Sequence, residues 1–147
     1  MKISTNINRL SLHDSHFENV ERKGNDIELT FDWAKLEDFN EDGIDDGLIL
    51  GKTKLTIKGI SNEKFKGYFD GIKWRPLFEP IDFVNSWQEI ANTEIDEKLK
   101  KIQLDGMYNK EKENYWIEWS FNYENCEIEW NNHVTLTEWK NGKLPYD

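Results

Sequence analysis

The chain has 147 residues and a formal charge of −10, from 29 acidic and 19 basic side chains. Its length fits one ordinary domain. Ile, Leu, Val and Phe supply about a quarter of it, above the roughly 20% below which a highly charged chain stays disordered. The charge argues against nucleic-acid binding, which relies on Lys and Arg at phosphates, and against anionic membrane surfaces. Basic proteins and cations are the matching partners.

Met1 to Asn6 lack the apolar stretch of a secretory leader, and no apolar run reaches the length of a membrane-spanning helix. The lone Cys126 closes no intrachain disulfide and fits a reducing compartment as a small hydrophobe. The expected location is the cytoplasm.

Alternation dominates the chain. Ile27, Leu29, Phe31 and Trp33 alternate with Glu28, Thr30 and Asp32, the pattern of a half-buried strand. Leu55-Thr56-Ile57 repeats it between Lys54 and Lys58. Phe65 to Trp74 reads as one or two strands broken at Gly67 and Gly71. Phe83, Trp87, Ile90 and Ala91 then fall at i, i+4, i+7 and i+8, which predicts a short helix near 82–91. Ile95, Leu99 and Ile102 fit a second helix or a strand, because Leu104 breaks the helical face. Tyr115, Ile117, Trp119 and Phe121 form a further stripe, followed by Cys126, Ile128 and Trp130, then Val134 and Leu136. Turns are predicted at Lys23-Gly24-Asn25, Asp42-Gly43, Asp105-Gly106 and Asn131-Asn132. Only two alanines, Ala34 and Ala91, speak against a helical protein. The expected fold is one mainly β domain over 1–147: an antiparallel β-sandwich or open barrel of about eight to ten strands with one or two short helices.

Charge is segregated. Residues 37–46 hold six acids and no base, residues 113–138 hold six glutamates and no base, and residues 52–75 hold seven bases against Glu63 and Asp70. Asp38 to Asp46 matches the start of a calcium loop, with Gly43 at its sixth position. The bidentate Glu that belongs at the twelfth position is Ile49, so the segment reads first as an acidic hairpin loop, and otherwise as a weak cation site or partner contact. In a strand, His13-Asp14-Ser15-His16 would put Asp14 beside His16 and His13 beside Ser15. A metal needs a third ligand, and the other histidine is His133. A hydrogen-bonded Asp–His pair pinning a strand end is the expected role. No G-x-S-x-G or phosphate loop supports catalysis. No metal, cofactor or catalytic residue is assigned.

Tyr115 to Trp139 carries the candidate surface. With a hairpin turning at Tyr123-Glu124-Asn125, Tyr115 to Phe121 and Cys126 to Trp130 point their apolar residues inward, and the Asn131-Asn132-His133 loop keeps Val134 and Leu136 on that side. The opposite face then shows Trp116, Glu118, Glu127, Glu129, Thr135, Thr137 and Trp139. Glu118 would oppose Glu127 or Glu129 and strain the sheet by like-charge repulsion. Such a face reads either as a binding surface or as tryptophans covered by another layer with glutamates that only solubilise.

Leu10-Ser11-Leu12-His13-Asp14-Ser15-His16-Phe17, followed by Asn25-Asp26-Ile27-Glu28-Leu29-Thr30-Phe31, resembles the start of small bacterial β-rich proteins, some of which are similar to the immunity proteins of polymorphic and contact-dependent toxin systems. The resemblance implies a cytoplasmic, non-catalytic protein that masks a cognate toxin, and it carries over no contact residues. The expected function is therefore protein binding: an acidic domain that neutralises a basic effector such as a nuclease toxin. Asp38, Glu41, Asp42, Asp45, Asp46, Glu118, Glu127 and Glu129 would steer the partner, and Trp116 and Trp139 would anchor it. The alternative is a small-ligand or carbohydrate-binding sandwich with a weak calcium site at Asp38–Asp46. A third option is a glycosidase-like enzyme with paired carboxylates, which 29 acids would mimic by chance.

Overall fold

The computed structural model describes residues 1–69, 71 and 73–146. β1 (Lys2–Ile3) precedes a 3-10 turn at Ile7–Arg9, β2 (Leu10–Ser11), β3 (Phe17–Lys23), β4 (Asp26–Phe31), β5 (Ala34–Phe39), β6 (Asp46–Leu50) and β7 (Thr53–Lys58). Then come β8 (Ser61–Phe69), β9 (Lys73–Pro76), β10 (Trp87–Asp96), β11 (Lys101–Lys110) and β12 (Glu113–Asn122). β13 (Asn125–Trp130), β14 (His133–Thr135) and the helix α1 (Leu136–Lys140) complete the chain. β8 and β9 pair antiparallel, and between them Asp70 and Ile72 lie outside the described residues, as does Asp147.

The strands form three antiparallel sheets, ordered β1-β13-β7-β4-β3, β14-β6-β5-β2 and β10-β11-β12-β8-β9. The first two are halves of one creased surface. Four neighbouring paths cross from one to the other: β3 to β2, β4 to β5, β7 to β6 and β13 to β14. They bend together at residues 12–16, Asp32-Trp33, Gly51-Lys52 and Asn131-Asn132. The crease is stitched by Gly51 donating to the Asn132 carbonyl (2.9 Å) and Asp32 to that of His16 (3.2 Å). Counted through the crease, the fourteen strands among the described residues are ten paths, which explains why alternation alone predicts eight to ten.

The five-stranded β10–β9 sheet packs on the creased one. Alternate residues of β4, β7, β11 and β13 are buried, as a sandwich requires, whereas the edge strand β9 buries none. Aromatic rings carry the contact between layers: Phe17 of β3 meets Trp87 at 5.2 Å and Trp119 at 6.5 Å between ring centroids. A single buried cluster spans both layers. No helix among the described residues is long and apolar enough to cross a membrane.

Three sequence expectations fail locally, and the helix-or-strand alternative at Ile95 to Ile102 resolves as strand. There is no helix at 82–91: one turn at 83–86 leads directly into β10. Asp82 accepts from the backbone of Asn85 (3.1 Å), so Phe83 and Trp87 reach the core from either side of that turn and mimic helical spacing. Ile95 and Ile102 face each other across the β10–β11 hairpin, with Leu99 exposed in its turn. Asp105-Gly106 lies inside β11 rather than in a turn. A Cβ on Gly106 would stand 2.0 Å from the Glu89 carbonyl oxygen and 2.6 Å from the Trp87 indole nitrogen, so the glycine makes room for a bulge and a ring. Lastly, β12 and β13 do not pair. β12 lies between β11 and β8, and β13 between β1 and β7. Tyr123 and Glu124 carry the chain between layers, their amides donating to Lys100 and Lys58 carbonyls (2.9 Å each).

Leu136 does not extend β14. It opens α1, because Thr135 and Glu138 form a capping box: the Glu138 amide donates to the Thr135 hydroxyl (3.1 Å) and the Thr135 amide to the Glu138 carboxylate (3.0 Å).

Candidate functional site

The acidic-aromatic surface expected from Tyr115 to Trp139 is divided among three places. The β5–β6 hairpin is the acidic hairpin loop expected from its sequence, with Asp42 (φ 54°) and Gly43 (φ 78°) of the loop and Asp38 (φ 52°), at the register shift near the end of β5, in left-handed conformations. Two of its acids are already engaged. Glu41 is ion-paired with Arg9, and Asp46 accepts from the amides of Thr137 (3.0 Å) and Gly47 (2.8 Å), tying the loop to α1. Those bonds hold the Asp46 carboxyl below its ordinary range. Ile49 is buried in β6 opposite Val134. Asp38, Asp42 and Asp45 form no ion pair among the described residues. Trp139 sits on α1, 46% exposed, rather than on a strand beside Trp116.

Glu127 and Glu129 occupy the outer face of the creased sheet on β13. Lys2 of β1 reaches both, at 3.5 and 3.4 Å. Glu129 also pairs in register with Lys54 of β7, which lies 3.7 Å from Glu28, and Lys52 holds Glu18 at 2.9 Å. This face is a charge-compensated mosaic. The expected repulsion with Glu118 does not occur, because Glu118 is on the other layer.

The outer face of the five-stranded sheet is different, and no element among the described residues covers it. Its antiparallel register aligns Trp74 of β9, Tyr68 of β8, Trp116 of β12 and Met107 of β11 in one row across the strands. Trp74 is 39% exposed and the others are half-buried; the Tyr68 and Trp74 rings lie 5.3 Å apart. One row along, Lys66, Glu118 and Asp105 are direct cross-strand neighbours, and Asn92 follows on β10. Asp105 and Glu118 are therefore two acidic residues paired in register on adjacent strands, and neither has an ion-pair partner among the described residues. Asn92 donates to Asp105 at 2.9 Å. Burial nevertheless raises the Asp105 carboxyl above its ordinary range, and the charge of Glu94 adds to the rise. Sequence reasoning placed Trp116 and Glu118 on one face correctly. It missed Trp74, Tyr68, Met107 and Asp105; the last was hidden by the Asp-Gly turn signal.

The histidines take other roles. His13 to His16 form a bend rather than a strand, with Asp14 at φ 64°. His16 pairs with Asp32 (3.2 Å) rather than Asp14, and the His13 ring bonds the Ala91 carbonyl (2.7 Å), pinning the crease to the edge of β10. Ser15 is buried and donates to the Trp33 carbonyl (2.7 Å). Cys126 is buried in the core, and that burial pushes its thiol up to about 12, which disfavours the thiolate. Among the described residues, no three His, Cys, Asp or Glu converge as a metal site. Comparisons with protein families, with curated proteins and with solved structures find no match to this chain.

Proposed function

We propose that this chain is a non-catalytic, acidic protein-binding domain of the immunity type, which neutralises a basic effector by docking it on the outer face of the five-stranded sheet. One observation carries the reading: among the described residues no element covers that face, and it presents the Trp74–Tyr68–Trp116–Met107 row beside Asp105 and Glu118, which close no ion pair there. Interface energy concentrates in half-buried Trp and Tyr held on rigid elements, and strands hold them here. The charge of −10 adds long-range attraction for a basic partner. Asp38, Asp42 and Asp45, free of ion pairs among the described residues, contribute to that field from the β5–β6 hairpin. Glu127, Glu129, Glu41 and Asp46 are engaged within the fold and act in steering at most.

A second reading draws on the same row. Aromatic rings spaced along a sheet face also stack on sugar rings, which would make the domain a carbohydrate-binding sandwich. Capture from the native host, followed by co-expression with the recovered protein, separates the two. A basic, growth-inhibiting partner whose toxicity this chain relieves supports the immunity reading. Recovery of no basic protein, together with oligosaccharide binding, overturns it.

A further inference from the structure

The two outer faces of the sandwich handle charge in opposite ways. On the creased sheet, Glu18, Glu28, Glu127 and Glu129 each have a lysine within ion-pair distance. On the five-stranded sheet, Asp105 and Glu118 stand directly opposite each other on adjacent strands. Like charges so placed destabilise a sheet, and Lys66, the next residue across from Glu118, closes no ion pair with it among the described residues. Asn92 fixes the Asp105 carboxylate without neutralising it. The Trp116–Met107 pair lies two residues along the same strands and on the same side, roughly 7 Å away at the rise of a strand. An uncompensated carboxylate pair one row from a flat aromatic surface calls for a cation that is long, planar and weakly hydrated.

The geometry points to an arginine side chain of the protein partner as the group this face takes, its guanidinium between Asp105 and Glu118 and its stem across Met107 and the ring of Trp116. The inference rests on the protein-binding reading of the face. A guanidinium forks onto two carboxylate oxygens at once and stacks on an indole, and it leaves its hydration shell more readily than an ammonium does. Lysine supplies one compact point charge and satisfies only part of the pair. The energy of bringing two carboxylates together is then recovered in the complex rather than in the free fold.

The test is an NMR titration with N-acetyl-arginine amide and, separately, N-acetyl-lysine amide, read at the tryptophan indole and carboxyl resonances. The arginine probe is expected to move Trp116, Glu118 and Asp105 while leaving the buried Trp130 still, with the lysine probe several-fold weaker. The Asp105→Asn/Glu118→Gln double variant relieves repulsion and should fold; it is expected to weaken arginine binding by roughly tenfold, the loss of about one charge-assisted contact. Asp105→Asn alone serves as the milder variant. Equal response to both probes, a response that survives the double variant, or no response overturns the inference. An oligosaccharide that moves Trp74 and Trp116 where arginine does not overturns it together with the protein-binding reading. A basic partner captured with affinity untouched by the double variant overturns the arginine site and leaves the proposed function standing.

Discussion

Glu63 on β8 accepts from both terminal nitrogens of Arg22 on β3 (2.8 and 2.5 Å) and from the buried Trp119 indole on β12 (2.7 Å). One carboxylate thus joins the two layers and satisfies a core N–H. Burial raises its carboxyl, but the bonds from Arg22 and Trp119 outweigh burial and hold it below the ordinary range. Its folded value is therefore depressed. The stability it contributes is full above the ordinary carboxylate range, about 4.3, and is lost as pH falls through the lowered folded value. Glu63→Ala, which orphans the Trp119 donor, should cost about 1–3 kcal/mol in urea unfolding at neutral pH. Glu63→Gln, which keeps an acceptor, should cost less, and its deficit should shrink as pH falls toward 3. A deficit constant with pH would mean that Glu63 contributes by shape and not by charge. Glu129→Gln probes the other face. Because Lys2 answers Glu129, the melting temperature should stay nearly unchanged or fall slightly, the outcome typical of exposed pairs; a clear rise would restore the repulsion expected from the sequence.

Individual strands were legible because burial of alternate residues leaves a period of two in any half-buried strand. Leu55 to Ile57, Tyr115 to Phe121 and Cys126 to Trp130 are found as strands with the expected residues inward, and so are Ile27, Leu29 and Phe31, whereas Trp33 falls beyond the end of β4. Pairing was not legible. Tyr123-Glu124 looks like a hairpin turn, yet it carries the chain between layers, and nothing local distinguishes the two. That misplacement moved Glu127 and Glu129 to the wrong neighbour, and the Asp105-Gly106 turn signal hid Asp105, so four of the six residues of the candidate site were invisible from sequence. The helix expected near 82–91 fails for another local reason: a single turn between the buried Phe83 and Trp87 reproduces i, i+4 spacing. Gly106 offers a test at this scale. With the Glu89 oxygen 2.0 Å from a would-be Cβ, Gly106→Ala must displace β10 or the Trp87 ring, and should destabilise by about 3 kcal/mol or more in equilibrium unfolding. A loss below 1 kcal/mol would show that the bulge relaxes freely. Gly24→Ala is no equivalent control, since its positive φ alone carries strain.

For the molecule as a whole, the separation of its charges makes separable effects on binding. A field of −10 accelerates encounter with a basic partner and is screened beyond a Debye length of about 8–10 Å near physiological salt. Asp38 at the end of β5 and Asp42 and Asp45 in the β5–β6 loop belong to the creased layer, whereas the aromatic row belongs to the other sheet. Neutralising them together as Asn should lower the on-rate and flatten its salt dependence while leaving the off-rate nearly unchanged. Trp116→Ala should do the reverse, raising the off-rate and costing about 2 kcal/mol or more in affinity if the row anchors the partner. Glu127→Gln with Glu129→Gln supplies the contrast, because Lys2 already neutralises part of their field. Per charge removed, this pair should change the on-rate less than the loop acids do. Surface-binding kinetics at two ionic strengths distinguish the three variants. If Trp116→Ala leaves the off-rate alone while the Glu127/Glu129 pair changes it, the partner sits on the creased sheet, and the interface belongs to the opposite side of the sandwich.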